Sequence, residues 1–115
     1  MRVTSDLWVS ALLRRVQAEG GFAAVVRRGA TEAGAVFLLL RSRTGELSLF
    51  GPAPQTGYDE ARPTERHFSS LISDGTGDVV EAKLERESKF DPDIWVVELE
   101  INTEQLTQLV EIKTL

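Results

Sequence analysis

The chain has no cysteine, an absence that removes disulfides, thiolate catalysis and cysteine-ligated zinc together. It has a single histidine, His67, so no cluster of imidazole ligands can form either. Long apolar runs are also missing: the longest, Ala35 to Leu40, is far short of the ~20 residues that a bilayer-spanning helix requires. The first twenty residues carry Asp6, Arg14 and Arg15 on an amphipathic pattern, unlike a secretory leader. A small secreted domain more often carries disulfides. The expectation is therefore a cytoplasmic protein with no signal peptide, no membrane span and no membrane partner. Lysine is scarce, with three in all, and the net charge is −5, which disfavours nucleic acid as a partner because the summed field repels phosphate.

What is present is enough for one domain. A chain of 115 residues with 42% hydrophobic content buries roughly two thirds of its unfolded surface, so a single domain over residues 1–115 is expected. Charge is unevenly spread. Residues 1–43 hold seven arginines against Asp6, Glu19 and Glu32, a balance of +4, which leaves −9 for the remainder. Because both parts share one core, basic and acidic strands are expected to lie beside each other and neutralise across a sheet. The sharper alternative is a basic face for RNA built from Arg14, Arg15, Arg27 and Arg28.

Thr4 or Ser5 can cap a first helix, with Asp6 in its opening turn and Leu7, Trp8, Ala11, Leu12 and Val16 on one stripe. Arg14 and Arg15 suit its C-terminal dipole, and Gly20-Gly21 stops it. Phe22 to Arg28 reads as a strand. Ala35 to Leu40 is apolar on both faces, which predicts either a central strand or one face left for a partner. Thr44-Gly45 then predicts a hairpin to Glu46–Phe50, with Arg41 or Arg43 meeting Glu46 near the turn. Gly51 to Gly57 reads as a loop, since its prolines cannot donate ladder hydrogen bonds. His67–Ile72 reads as a further strand, and Ser73–Gly77 as a turn.

Asp78 and Glu81 resemble a capping box for a second helix running to about Phe90, with Glu85 and Lys89 as an i, i+4 pair. Asp91 before Pro92 favours extended backbone, so the helix ends there and a strand Ile94–Ile101 begins. On that strand Trp95, Val97, Leu99 and Ile101 share one face, while Ile94, Val96, Glu98 and Glu100 share the other. Beyond Thr103 the spacing favours a short helix, although Val110–Lys113 alternates like a strand. The expected fold class is α+β: a mainly antiparallel sheet of four to five strands with two main helices, in the order α-β-β-β-(β)-α-β. Both helices are expected on one sheet face. The far face of Ala35–Leu40 would then be partly exposed and available for self-association.

Motifs that carry chemistry are weak. Asp91 and Asp93, with Glu87 a turn earlier and Glu98 or Glu100 beyond, form the densest carboxylate group near a structural joint and could hold Mg²⁺ or Mn²⁺ through oxygen ligands, with Arg86 and Lys89 nearby. Aspartates flanking a proline are, however, ordinary turn chemistry. Ser73–Asp78 lacks the lysine of a phosphate loop and carries acidic residues that repel phosphate. His67 and Ser69 have no nucleophile-elbow pattern around them and no orienting acid. Arg27-Arg28 could grip a carboxylate, and Trp8 could stack on a ligand, though core packing explains Trp8 more simply. The candidate binding residues are thus Trp8, Arg27, Arg28, Arg86, Asp91 and Asp93, with no catalytic residue, no metal site and no cofactor assigned.

Five blocks carry a resemblance: Ser5–Val9, Ala24–Gly29, Ala33–Val36, Leu49–Ala53 and Phe90–Glu98. Together they resemble a bacterial family of short proteins known as domain of unknown function fourteen ninety-one. The resemblance implies a stand-alone cytosolic bacterial protein and brings no catalytic residue. Phe50 stands where the family pattern expects tyrosine, which implies that a phenolic hydroxyl there is dispensable. The leading expectation is a protein-interaction or accessory module acting as a homodimer or with a protein partner. The alternative is a metal-dependent enzyme or small-ligand-binding domain using the carboxylates of the Phe90–Asp93 helix exit.

Overall fold

The structure is a computed structural model, and it describes residues 3–54 and 66–113. Its elements are α1 (Ser5–Ala18), β1 (Phe22–Arg27), β2 (Val36–Arg41), β3 (Leu47–Pro52), β4 (His67–Gly75), α2 (Gly77–Phe90), β5 (Trp95–Glu100), α3 (Thr103–Leu109) and β6 (Glu111–Lys113). The α+β class and the helix-strand order hold over the region read. The sheet differs from expectation: among the described residues it has six strands, in the order β1-β5-β2-β3-β4-β6, and it is mixed. Strand β5 enters between β1 and β2, antiparallel to the first and parallel to the second, and β6 runs parallel to β4. The tail after Thr103 supplies both a short helix and a short strand, so the two patterns seen there are consecutive rather than competing.

Local chemistry explains most boundaries. Thr4 is the N-cap of α1, its hydroxyl accepting from the Leu7 amide at 3.3 Å, while Ser5 lies inside the helix and is buried. The buried stripe is Ser5, Val9, Leu12 and Val16. Leu7, expected on that stripe, is 55% exposed because it stands two residues, or about 200° around the helix, from Val9. Gly45 takes φ +94° in the β2–β3 hairpin, the left-handed backbone that the turn requires. Glu46 accepts there from the Ser42 and Thr44 hydroxyls, and Arg41 instead pairs with Glu98 across the β2–β5 ladder at 3.2 Å. That pair is the cross-sheet neutralisation that the charge distribution predicts.

Three further boundaries move. Strand β3 continues through Gly51 and Pro52, where a loop was expected, and the rest of that loop from Gln55 lies outside the described residues. Strand β4 runs on to Gly75, through most of the predicted turn. Helix α2 begins at Gly77 with Thr76 as N-cap and no side-chain cap, so Asp78 sits inside the first turn and the Asp78–Glu81 capping box is not made. The box forms instead at α3, where Asn102 and Gln105 exchange hydrogen bonds of 2.7 and 3.0 Å.

The two main helices lie on opposite faces, which corrects the expectation that they share one. Val9, Leu12 and Val16 of α1 and Leu106 and Leu109 of α3 cover Val36, Leu38, Leu40, Trp95, Val97 and Leu99. On the other face, Val80 and Leu84 of α2 close over Phe37, Leu39, Leu49 and Val96. The apolar β2 is therefore buried on both sides, with Phe37 4% and Leu39 7% exposed, and leaves no open face of its own. A crossover from β4 to the sheet centre must pass over one face, and the polar α2 needs only a narrow apolar stripe to do so.

Leu38 is wholly buried between the layers whereas Phe90 is 94% exposed at the end of α2. Leu38→Ala should lower the unfolding free energy by about 2–5 kcal/mol in urea titrations. Phe90→Ala should stay within about 0.5 kcal/mol. Similar losses for both would contradict this packing.

Candidate functional site

Four of the sequence candidates meet at the joint between α2 and β5. Asp91 accepts the Asp93 amide through Oδ1 at 3.0 Å, which closes the turn across Pro92. Arg27 donates through Nη2 to the Pro92 carbonyl at 3.0 Å. Arg28 pairs with Asp6 at 2.7 Å and lays its guanidinium carbon 4.9 Å from the Trp95 ring centroid. Both members of that ion pair are well exposed, so it is worth at most about 1 kcal/mol.

Behind these side chains the β1–β2 connection wraps the Asp93 backbone. The Ala30 amide donates to the Asp93 carbonyl at 2.9 Å, and the Trp95 indole donates to the Ala30 carbonyl at 2.8 Å. Ser5 Oγ donates to the Gly34 carbonyl at 2.5 Å. Gly29 and Gly34 approach so closely that a Cβ on either would overlap the Asp93 carbonyl oxygen. The arrangement clasps loop to strand. Asp91 spends a carboxylate oxygen on the turn, and among the described residues no three His, Cys, Asp or Glu side chains gather as a metal site would need.

The remaining two candidates lie elsewhere. Trp8 is half-buried, its ring 5.6 Å from that of Phe68 and the same distance from the Arg66 guanidinium carbon. Arg86 is exposed on α2 and makes no hydrogen bond or ion pair among the described residues.

Two surfaces escaped the sequence reading. The first is the part of the second sheet face formed by β1 and the outer end of β5, beside the Val96 that α2 covers. There Phe22 pairs with Glu100, Ala24 with Glu98 and Arg27 with Val96, with a bulge at Val26. Phe22 and Val26 are 50% and 60% exposed. The second is a cleft at the C-terminal ends of β2 and β5, lined among others by Glu19, Arg41, Arg43, Glu46, Glu100 and Gln105. Only the placement of β5 beside both β1 and β2 creates either surface, and that pairing has no local signature. Within the cleft, the Ser42 and Thr44 hydroxyls hold the Glu46 carboxyl below the ordinary glutamate value of 4.5.

This fold is shared with known proteins. Residues 3–109 match the family described as "Protein of unknown function (DUF1491)". The chain belongs to the DUF1491 family. It is similar to Atu0922 from A. tumefaciens, whose solution structure aligns with a TM-score of 0.78 at 48% identity, over 89% of this chain and 88% of that one. It is also similar to a DUF1491 family protein from Caulobacter crescentus CB15. The crystal structure described for that family member has a TM-score of 0.77 at 33% identity over 96% of this chain and 99% of that one. An NMR structure of a DUF1491 family protein from the same organism has a TM-score of 0.78 at 33% identity, covering 99% of each chain. None of the curated proteins compared with the chain matches it. Among the described residues no helix is long and apolar enough to cross a membrane.

The clasp and the hairpin each yield a measurement. Gly29→Ala and Gly34→Ala should each cost about 1–3 kcal/mol, the usual penalty for overpacking, whereas Gly77→Ala, whose Cβ meets nothing within 4 Å, should be neutral or slightly stabilising. Equal effects at the three glycines would refute the close approach to Asp93. For Glu46, an NMR pH titration of Ser42→Ala should move the midpoint upward. Because the folded value is depressed, its contribution to stability is present above the unfolded value and is lost as pH falls through the folded one. An unmoved midpoint would show that the hydroxyl does not hold the carboxylate.

Proposed function

We propose that the protein is a small cytoplasmic interaction module that acts by self-association, through the part of its second sheet face formed by β1 and the outer end of β5. The observation that carries this reading is Phe22, half exposed on the face whose Phe37, Leu39, Leu49 and Val96 are covered by α2. An apolar patch of this kind, rimmed by charge, is characteristic of association surfaces.

A second copy is the occupant that the charge pattern favours. This surface runs from Glu100 beside Phe22, through Ala24 and Glu98, to Arg27 beside Val96. A two-fold axis near Ala24 sets the acidic end of one copy against the Arg27 end of the other, with Phe22 meeting the partner's Val26. Face-to-face packing suits the surface better than strand addition, because the bulge at Val26 interrupts the outer ladder of β1. The exposed large apolar side chains of this surface are Phe22 and Val26, few beside the roughly 20–30 residues a side of a standard interface, so the association is weak.

A metal-dependent site on Asp91 and Asp93 has less support, since Asp91 already caps the Asp93 amide. RNA binding has less support as well, with Arg28 paired to Asp6 and a net charge of −5 that repels phosphate.

Sedimentation should show a monomer–dimer equilibrium with a Kd of about 10–500 μM. Phe22→Glu should leave monomer only. Arg27→Glu should weaken dimerisation, and adding Glu100→Arg should restore it. A monomer at all concentrations up to about 1 mM, or a dimer indifferent to Phe22→Glu, would overturn the reading.

A further inference from the structure

At the end of the sheet away from the Asp93 clasp, the parallel strands β2 and β5 finish side by side, and a cleft of about 550 Å³ opens over their carboxyl ends. Ligands settle at this end of parallel strands because the chain leaves to different sides and parts the surface. Here β2 turns into the hairpin to β3 and β5 turns into α3. The volume lies within the roughly 300–1,000 Å³ of small-molecule sites.

The strand order sets the walls. The β2–β3 hairpin contributes Arg43 on one side, and the α1–β1 turn contributes Glu19 on the other. With β5 between β1 and β2, these walls stand about two strand spacings, or roughly 10 Å, apart. Neither Arg43 nor Glu19 makes an ion pair among the described residues. Of the other lining groups, Arg41 is engaged by Glu98, Glu46 by Ser42 and Thr44, and Gln105 by the cap of α3, while the Asp74 and Glu100 carboxylates make no ion pair among the described residues. What remains is one free cation, Arg43, across an open cleft from Glu19, with Asp74 and Glu100 as further free carboxylates in the lining.

We propose that this cleft binds a small zwitterion of the dipeptide class, its carboxylate toward Arg43 and its ammonium toward Glu19. Arginine offers a carboxylate two parallel donors, which fixes orientation as well as charge. A wall separation of two strands suits two residues better than one, so a free amino acid binds more weakly.

The test is an NMR amide titration of the labelled protein with alanyl-alanine, its acetylated and amidated form, and alanine alone. Alanyl-alanine should shift the amides of residues 19–21, 41–43 and 102–105 saturably, with a Kd on the order of 1 mM. The blocked peptide should fail, and alanine should bind more weakly. Arg43→Gln and Glu19→Gln should each weaken binding about 5-fold or more, since hydrogen bonds to charged groups are the stronger kind. Both side chains are exposed, so these variants keep the fold. Glu100 is left intact because it also borders the self-association surface. No saturable shift, equal binding by the blocked peptide, or shifts away from the cleft would overturn the proposal, and none of these outcomes bears on the dimer.

Discussion

The insertion of β5 between β1 and β2 is the constraint on which the rest of the structure depends. It joins the amino-terminal strand to the hairpin strands, which otherwise have no ladder in common. A strand in that position is buried from both sides, which is why Ile94 to Val97 carry no charge and why hydrophilic residues enter only at Glu98 and Glu100. The chain reaches that slot by crossing the sheet as α2, and it leaves along the opposite face as α3. Helices on both faces follow from that route, as does the double burial of β2.

The clasp at Asp93 is the fastening of this insertion. The parallel neighbours β2 and β5 start together, with Val36 level with Trp95. The connection before β2 closes over the start of β5 through Ala30, Gly29 and Gly34. Side chains at such a joint look functional in a sequence because they are charged, aromatic and irregularly spaced. In the folded chain the same properties serve geometry: the indole and guanidinium pack against each other, and a carboxylate ends a helix.

Local chemistry made a good part of the fold legible. The cap at Thr4, the Thr44-Gly45 hairpin, the helix stop before Pro92 and the two faces of Ile94–Ile101 each arise from residues within a few positions of one another. What escaped was non-local. Nothing within Phe22–Arg27 says that its partner begins at Trp95, and without that pairing the two helices could be assigned to the same face. The double apolar character of Ala35–Leu40 points to a central strand or a partner-seeking one, and the expectation of an exposed far face fails because α2 covers it. Asp78–Glu81 is not the cap because the helix starts two residues earlier, where Thr76 in extended backbone precedes it. The candidate residues were legible as a spatial group, with Arg27, Arg28, Asp91 and Asp93 brought together, but the cleft was not, since its walls come from parts of the sequence far apart.

The same insertion sets an order of events during synthesis. Strand β1 is made early, yet its one lateral partner among the described residues emerges after the whole stretch from Arg28 to Ile94, which at ordinary translation speeds takes roughly 3–13 s. Through that interval the nascent chain carries an unpaired apolar ribbon, Phe22-Ala23-Ala24-Val25-Val26, long enough to recruit a stray strand from a neighbouring polypeptide. Helix α1 can shelter one side of the ribbon from the outset, and Arg27-Arg28 stands guard at its end as a charged gatekeeper. Slow closure around a late central strand makes the pace of the ribosome part of this protein's folding problem.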